Sequence, residues 1–227
     1  MKRLLLHSCC APCSGAIIEC LLRDGLRPVV FFSNSNIVPE AEYRLRLSEL
    51  KRYCDSLGVE TAEDIYDHGD WLRCVLGPEG ARSPLAKEPE RGLRCAACFR
   101  YRLGRAAEFA KKEGFDTLTT TLASSRWKDL SQVDAAGEAA CSGTGVEWWG
   151  RNWRKGGLQE RRNAIIREQG FYNQTFCGCE FSRRESGSGG AAEPLQPGRT
   201  EHTPACSAGQ QPSSDADPLE AAKKQTE

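Results

Sequence analysis

The stretch RLLLHSCCAPCSG, residues 3–15, decides how the rest of the chain is read. A short leucine run closed by polar residues reads as a buried β-strand, and the proline and glycine that follow turn the chain toward a helix. Three cysteines, Cys9, Cys10 and Cys13, fall within five positions at the end of that strand. Working outward, PVVFFSN (28–34), DTLTTTL (116–122), GVEWWG (145–150) and, more weakly, VETAEDIYD (59–67) carry the same branched and aromatic bias of strands. Between them, 14–24, 40–57, 96–113, 130–141 and 158–169 read as helices. The clearest is 40–57, where Tyr43, Leu47, Leu50 and Cys54 or Leu57 recur at helical spacing. Strand and helix alternating throughout predict an α/β fold, a Rossmann-like parallel sheet with helices on both faces. In such folds ligands gather beyond the carboxyl ends of the strands, which is where the first cysteine group falls.

The chain has 227 residues, 39% of them hydrophobic, and five tryptophans, enough for one good core. We expect a single α/β domain over 1–182. From 183 to 227 the sequence is rich in Ser, Gly, Pro and charge and lacks aromatics, so a disordered tail is expected there, with Cys206 a stray thiol. A formal net charge of zero announces neither a nucleic-acid nor a membrane partner. The apolar run of MKRLLLHSCC is too short for a signal-peptide core or a membrane span, so the expectation is a cytoplasmic protein with no membrane partner. In a reducing compartment, twelve cysteines that cluster point to metal binding or redox chemistry before structural disulfides.

Three cysteine groups stand out: Cys9, Cys10 and Cys13; Cys95 and Cys98 in RCAAC; and Cys177 and Cys179 in FCGCEF. A C-x-x-C at a helix start lets both sulfurs face one centre, and alone it is compatible with zinc, an iron–sulfur cluster or thiol redox chemistry. Joined to a second cysteine group it supplies four thiolates. Structural zinc usually recruits two spaced pairs, so the vicinal Cys9–Cys10 pair tilts the reading toward a cluster. Cys13 is then a surplus soft ligand able to hold a second metal, or a helix-start cysteine bonded to none. Cys177 and Cys179, separated by Gly178, can close only a tight, easily reduced ring, the kind that carries two electrons. Cys20, Cys54, Cys74 and Cys141 are scattered and expected as small buried hydrophobes. His7 and His68 are weaker candidates, a lone histidine being usually structural. WWGRNWRKGG (148–157) interleaves tryptophan with Arg151, Arg154 and Lys155, a pattern that suits stacked bases and phosphates or, equally, a packed core.

With these residues in hand, the chain resembles the epoxyqueuosine reductases of the QueH type, over 3–182 and through HSCCAPCSG, FFSNSNIVPEAEYRLRL, YDHGDWL, EPERGLRCAACFRYRL, TTTLASSRWKD and FYNQTFCGCEFS. The resemblance implies a fold like that of the PP-loop adenine-nucleotide hydrolases. It implies a [4Fe-4S] cluster on Cys9, Cys10, Cys95 and Cys98, and a redox-active disulfide between Cys177 and Cys179. It also implies a second, mononuclear iron in at least one relative, held in part by an aspartate where Cys13 stands here, and a thiolate could serve. Relatives tend to carry tyrosine where Trp127 stands, followed by the matching Lys128 and Asp129. The implied reaction is the two-electron deoxygenation of epoxyqueuosine to queuosine at the wobble position of tRNA with GUN anticodons, with an external electron donor. His7, Lys128 and Asp129 are candidate proton donors. Arg151, Trp153, Arg154 and Lys155, with Arg100, Arg102 and Arg105, are candidate RNA contacts. Two rivals are a PP-loop tRNA thiolase, which would need a glycine-rich phosphate loop where HSCCAPCSG stands, and a non-catalytic zinc-binding RNA module.

Overall fold

In β1, Leu4–Ser8, successive side chains alternate between two buried environments, as a strand covered on both faces requires. Leu4 and Leu6 enter one core and Leu5 the other. The architecture is that of a computed structural model, which describes residues 2–182; the expected tail and Cys206 lie outside the described residues. Five strands, β1, β2 (Pro28–Phe32), β3 (Thr61–Glu63), β4 (Thr117–Thr120) and β5 (Glu147–Trp148), pair in parallel in the order β3-β2-β1-β4-β5. Leu5 is paired with Val29 on one side and Leu118 on the other.

Six α-helices cover the sheet: α1 (Ala11–Arg23), α2 (Glu40–Ser56), α3 (His68–Leu76), α4 (Leu93–Lys112), α5 (Leu130–Cys141) and α6 (Leu158–Gln169). One face packs Leu4, Leu6, Val30 and Phe32 against Ile17 and Ile18 of α1, Leu47 and Leu50 of α2 and Ile165 of α6. The other packs Leu5, Phe31 and Leu118 against the alanines Ala106, Ala107 and Ala110 of α4. Each large aliphatic side chain fully withdrawn here contributes about 1.5–3 kcal/mol. The chain runs outward from β1 to β3, then crosses back to lay β4 on the free side of β1, so the connections diverge between β1 and β4. A crevice opens at such a point, beyond the carboxyl ends of the two strands.

The expected strands and helices are all found, the helices 130–141 and 158–169 at their expected bounds and the others with shifted ends. The third strand is only Thr61–Glu63 and the fifth only Glu147–Trp148, because propensity marks a wider run than the backbone ladder uses. α1 starts at Ala11, three residues before its expected start, with Pro12 in the first turn where a missing N–H costs nothing. α3 was not expected; Asp67 caps it by accepting from the Asp70 N–H at 2.8 Å. The connection between α3 and α4 holds two 3-10 turns, Gly80–Arg82 and Pro84–Lys87. Gly137 of α5 lies against the Trp148 indole, where an added Cβ would sit 2.2 Å from the ring, so glycine there is a packing requirement. Cys54 and Cys141 are buried, as expected, and Cys20 is 2% exposed, whereas Cys74 is exposed on α3.

Candidate active site

Beyond Ser8 the chain leaves β1 through Cys9 and Cys10, and Cys10 is the residue that precedes α1. The turn folds the three sulfurs of Cys9, Cys10 and Cys13 to within 4.8 Å of one another, with Cys9 and Cys10 Sγ atoms 3.7 Å apart. Across the crevice, the Cys9 N–H donates to Thr121 Oγ1 at 3.2 Å, clipping the ends of β1 and β4 together. Cys95 and Cys98 stand one turn apart in the first turns of α4, and Cys9 and Cys95 pack on the same cluster around Phe99, Leu103 and Leu122. Cys95 and Cys98 then line one cleft with Lys128, Trp127, Cys177 and Cys179. Three distant segments of sequence thus deliver thiols to one end of the sheet.

A hydrogen-bond donor is aimed at each of four sulfurs. Thr121 Oγ1 lies 3.5 Å from Cys9 Sγ, Gln174 Nε2 2.7 Å from Cys10 Sγ, the Arg91 N–H 3.3 Å from Cys95 Sγ and Trp71 Nε1 3.4 Å from Cys98 Sγ. Donors pointed at sulfur favour the thiolate. Yet burial pushes Cys95 up to about 11 and Cys98 up to about 12, and burial together with Cys13 and Cys9 raises Cys10. Only Cys9 is lowered, by its contacts with Cys10 and Cys13. Buried thiols that stay protonated alone but face prepared donors match a cationic centre, which deprotonates the thiols it binds. The residues therefore fit a soft metal or metal cluster, and the trio makes Cys13 part of the same constellation.

Cys177 and Cys179 are free thiols held on a firm backbone. Arg46, 2% exposed and paired with Glu42, donates to the Cys177 carbonyl at 3.0 Å and to that of Phe176 at 3.4 Å. The Val38 N–H donates to the Gly178 carbonyl at 3.0 Å. Gly178 has φ 124°, a region closed to other residues, and an added Cβ would lie 2.8 Å from Ile37 Cγ1. The His68 and Glu180 side chains meet at 3.4 Å and tie the segment to α3.

The candidate proton donors differ sharply. Lys128 is half-buried on the cleft wall; burial pulls its pKa down, but the neighbouring Cys177, Cys9 and Cys13 outweigh that and hold the ammonium charged. Asp129 caps α5, its Oδ1 accepting from Ser131 N and Oγ at 2.9 and 2.6 Å, and these bonds keep it ionised. His7 is fully buried inside β1, its Nε2 donating to the Ser33 carbonyl at 3.1 Å and its Nδ1 2.8 Å from Thr120 Oγ1. Burial and the nearby Arg102 lower its pKa to about 3, so it stays neutral and supports the strand ends rather than supplying a proton.

The expected RNA contacts need correction. Trp153 has no exposed surface and packs in the core edge-on to Trp149, so no base can stack on it. Arg151 lies over the Trp149 and Trp153 rings, at 5.4 and 4.8 Å. Arg154 points back into the molecule and donates to the Ser125 and Lys128 carbonyls, both at 2.7 Å. Arg102 is buried against Asn34 and the Ser33 carbonyl, and Arg105 is paired with Asp64 at 2.5 Å. Only Lys155 and Arg100 of this set stand exposed. Spacing along the chain missed Arg46, Gln174, Thr121 and Trp71. Of these only Arg46 left a signal, a charge in the same helical phase as Tyr43, Leu47 and Leu50.

Fold and site together define a thiol-rich redox or metal-dependent protein built at the switch point of an α/β sheet. A family model described as epoxyqueuosine reductase QueH matches residues 4–185. Among curated relatives, the epoxyqueuosine reductase QueH of Haemophilus influenzae is 41% identical over 186 residues, 82% of this chain and 73% of that protein. That of Acinetobacter baylyi is 39% identical over 81% of this chain and 82% of its own length, and that of Thermotoga maritima 31% over 82% and 92%. The chain belongs to the epoxyqueuosine reductase QueH family, a family of oxidoreductases. Among the described residues no helix is long and apolar enough to cross a membrane.

Proposed function

We propose that this protein reduces epoxyqueuosine to queuosine in tRNA, acting on the wobble nucleotide of GUN anticodons. The observation that carries the reading is the convergence of thiols from the end of β1, the start of α4 and the 177–179 segment, with a charged lysine beside them. Cys9, Cys10, Cys95 and Cys98 would hold a [4Fe-4S] cluster, with Cys13 available to a second iron. Bound there, the cluster supplies one-electron transfer and Lewis acidity.

The chain's own residues balance the reaction. Removing the epoxide oxygen as water breaks two C–O bonds and takes up two electrons and two protons. The Cys177 and Cys179 thiols supply both pairs as they close to a disulfide, and an external reductant of dithiol or lower potential reopens it. Lys128 holds a proton on the cleft wall for the departing oxygen and regains it from a thiol. Arg46 and the Val38 amide keep the 176–178 backbone fixed while the sulfurs change partners. Asp129 anchors α5 behind Lys128, and His7 stays neutral beneath.

The PP-loop thiolase reading loses support because the turn after β1 presents thiols and a proline, not a glycine-rich loop of amides. The test is incubation of anaerobically reconstituted protein with epoxyqueuosine-bearing tRNA and dithionite, followed by nucleoside mass analysis. Conversion to queuosine, lost in Cys9→Ala, is expected together with iron and sulfide in the protein. Colourless, stoichiometric zinc and an untouched epoxide would mean a binding module instead.

A further inference from the structure

Of the five tryptophans, Trp71 and Trp153 are buried, Trp148 and Trp149 half-buried, and Trp127 alone lies open, with 68% of its surface in water. An indole left so exposed forgoes the burial that its size would reward. Yet it is not on a loose loop. The Trp127 N–H donates to Ser125 Oγ at 3.3 Å, the Lys128 N–H to the Ser125 carbonyl at 3.2 Å, and Arg154 grips the carbonyls on either side. The ring lines the same cleft as Cys95, Cys98, Cys177 and Cys179.

Cations flank it. The Arg126 guanidinium, exposed, lies over the Trp127 ring, 5.5 Å from its centroid. On another wall of the cleft stands Arg91, whose backbone is fixed at φ 70° by its N–H to Cys95 Sγ and its carbonyl to Gln132 Nε2 at 2.8 Å. Glu90 is the carboxylate in the lining, and Asp129 lies close enough to Arg91 to feel its charge. An open aromatic face, preorganised and bordered by arginines at the mouth of a reactive cleft, is what a nucleobase with its phosphates requires.

We infer that Trp127 is the stacking platform for a nucleobase of the RNA substrate, with Arg126 and Arg91 facing the adjoining phosphates. The role that the sequence suggested for Trp153 thus falls to Trp127. The inference rests on the proposed function for the identity of the ligand as RNA, and on geometry for the residue. Stacking on one aromatic is base-tolerant, so the platform holds the strand while the cleft selects the epoxide.

The test measures binding of an unmodified anticodon stem-loop RNA to the reconstituted full chain, separately from turnover on epoxyqueuosine-bearing tRNA. Trp127→Ala is expected to weaken the Kd by about 10- to 100-fold, Trp127→Tyr to restore it to within about 3-fold, and the thermal midpoint to stay put in both. Emission from the wild type should fall on RNA addition, with that change absent in Trp127→Tyr. Arg126→Ala should lower the dependence of log Kd on log salt by about one. A Trp127→Ala Kd within 2-fold of wild type, or equal loss in the tyrosine variant, overturns the platform. If wild type converts the epoxide but Trp127→Ala binds normally, the platform fails and the function stands; if RNA quenches Trp127 but no epoxide is reduced, the reverse holds.

Discussion

The turn after β1 and the stretch 148–157 that begins at the end of β5 are both dense in chemically versatile residues, three cysteines in one and three tryptophans with three cations in the other. Only the first gathers its reactive side chains into a candidate site. It lies at the switch point between β1 and β4, where diverging connections leave a crevice, and its sulfurs face inward toward prepared donors. The second follows the edge strand β5, where the same residues find neighbours to pack on: Trp153 enters the core and Arg154 becomes a brace for the 125–128 loop. Residue type sets what a segment can do, and its position relative to the strand ends sets what it does.

The comparison breaks most visibly at the sulfurs. Cys98→Ser is expected to lower turnover by at least about 10³-fold, equivalent to about 4 kcal/mol of barrier, while the thermal midpoint of the protein moves little. Activity within tenfold of wild type would remove the cleft from the chemistry. Trp153→Ala should do the opposite, costing about 3–5 kcal/mol in denaturant unfolding as a large core side chain is lost, with RNA affinity per folded molecule unchanged. A smaller effect sharpens the contrast. Arg154→Ala should reduce turnover about tenfold by freeing Lys128, and should leave the salt dependence of RNA binding untouched, whereas a phosphate-binding arginine would lower that slope by about one.

The smallest effect lies away from both regions, at the Asp64–Arg105 pair that joins the end of β3 to α4. Burial raises the Asp64 carboxyl, but Arg105 and Ser33 outweigh it and hold it below the usual range. A depressed carboxylate stabilises above its unfolded pKa of about 4 and loses that contribution as pH falls through the folded value. Unfolding at pH 6 and pH 3 should therefore differ less in Asp64→Asn than in wild type, by about 1 kcal/mol; an unchanged difference would discount the pair.

Much of the architecture was legible because it depends on local period. The leucines of β1 and the Tyr43–Leu47–Leu50 stripe of α2 declare their elements without any partner. The cysteine groups were legible as chemistry, since spacing brings Cys95 and Cys98 to one helix face wherever that helix lies. The nine-residue α3 was not, its apolar positions being too few to set a period.

What the sequence alone determined, then, is the alternation of strand and helix, the presence of three thiol groups and the family resemblance, all properties of neighbours along the chain. What only the tertiary structure decided is which of five tryptophans meets water, that His7 is neutral, that Arg46 holds a backbone and that four donors point at four sulfurs. Exposure and charge state depend on desolvation by residues a hundred positions away, and no local pattern encodes those distances.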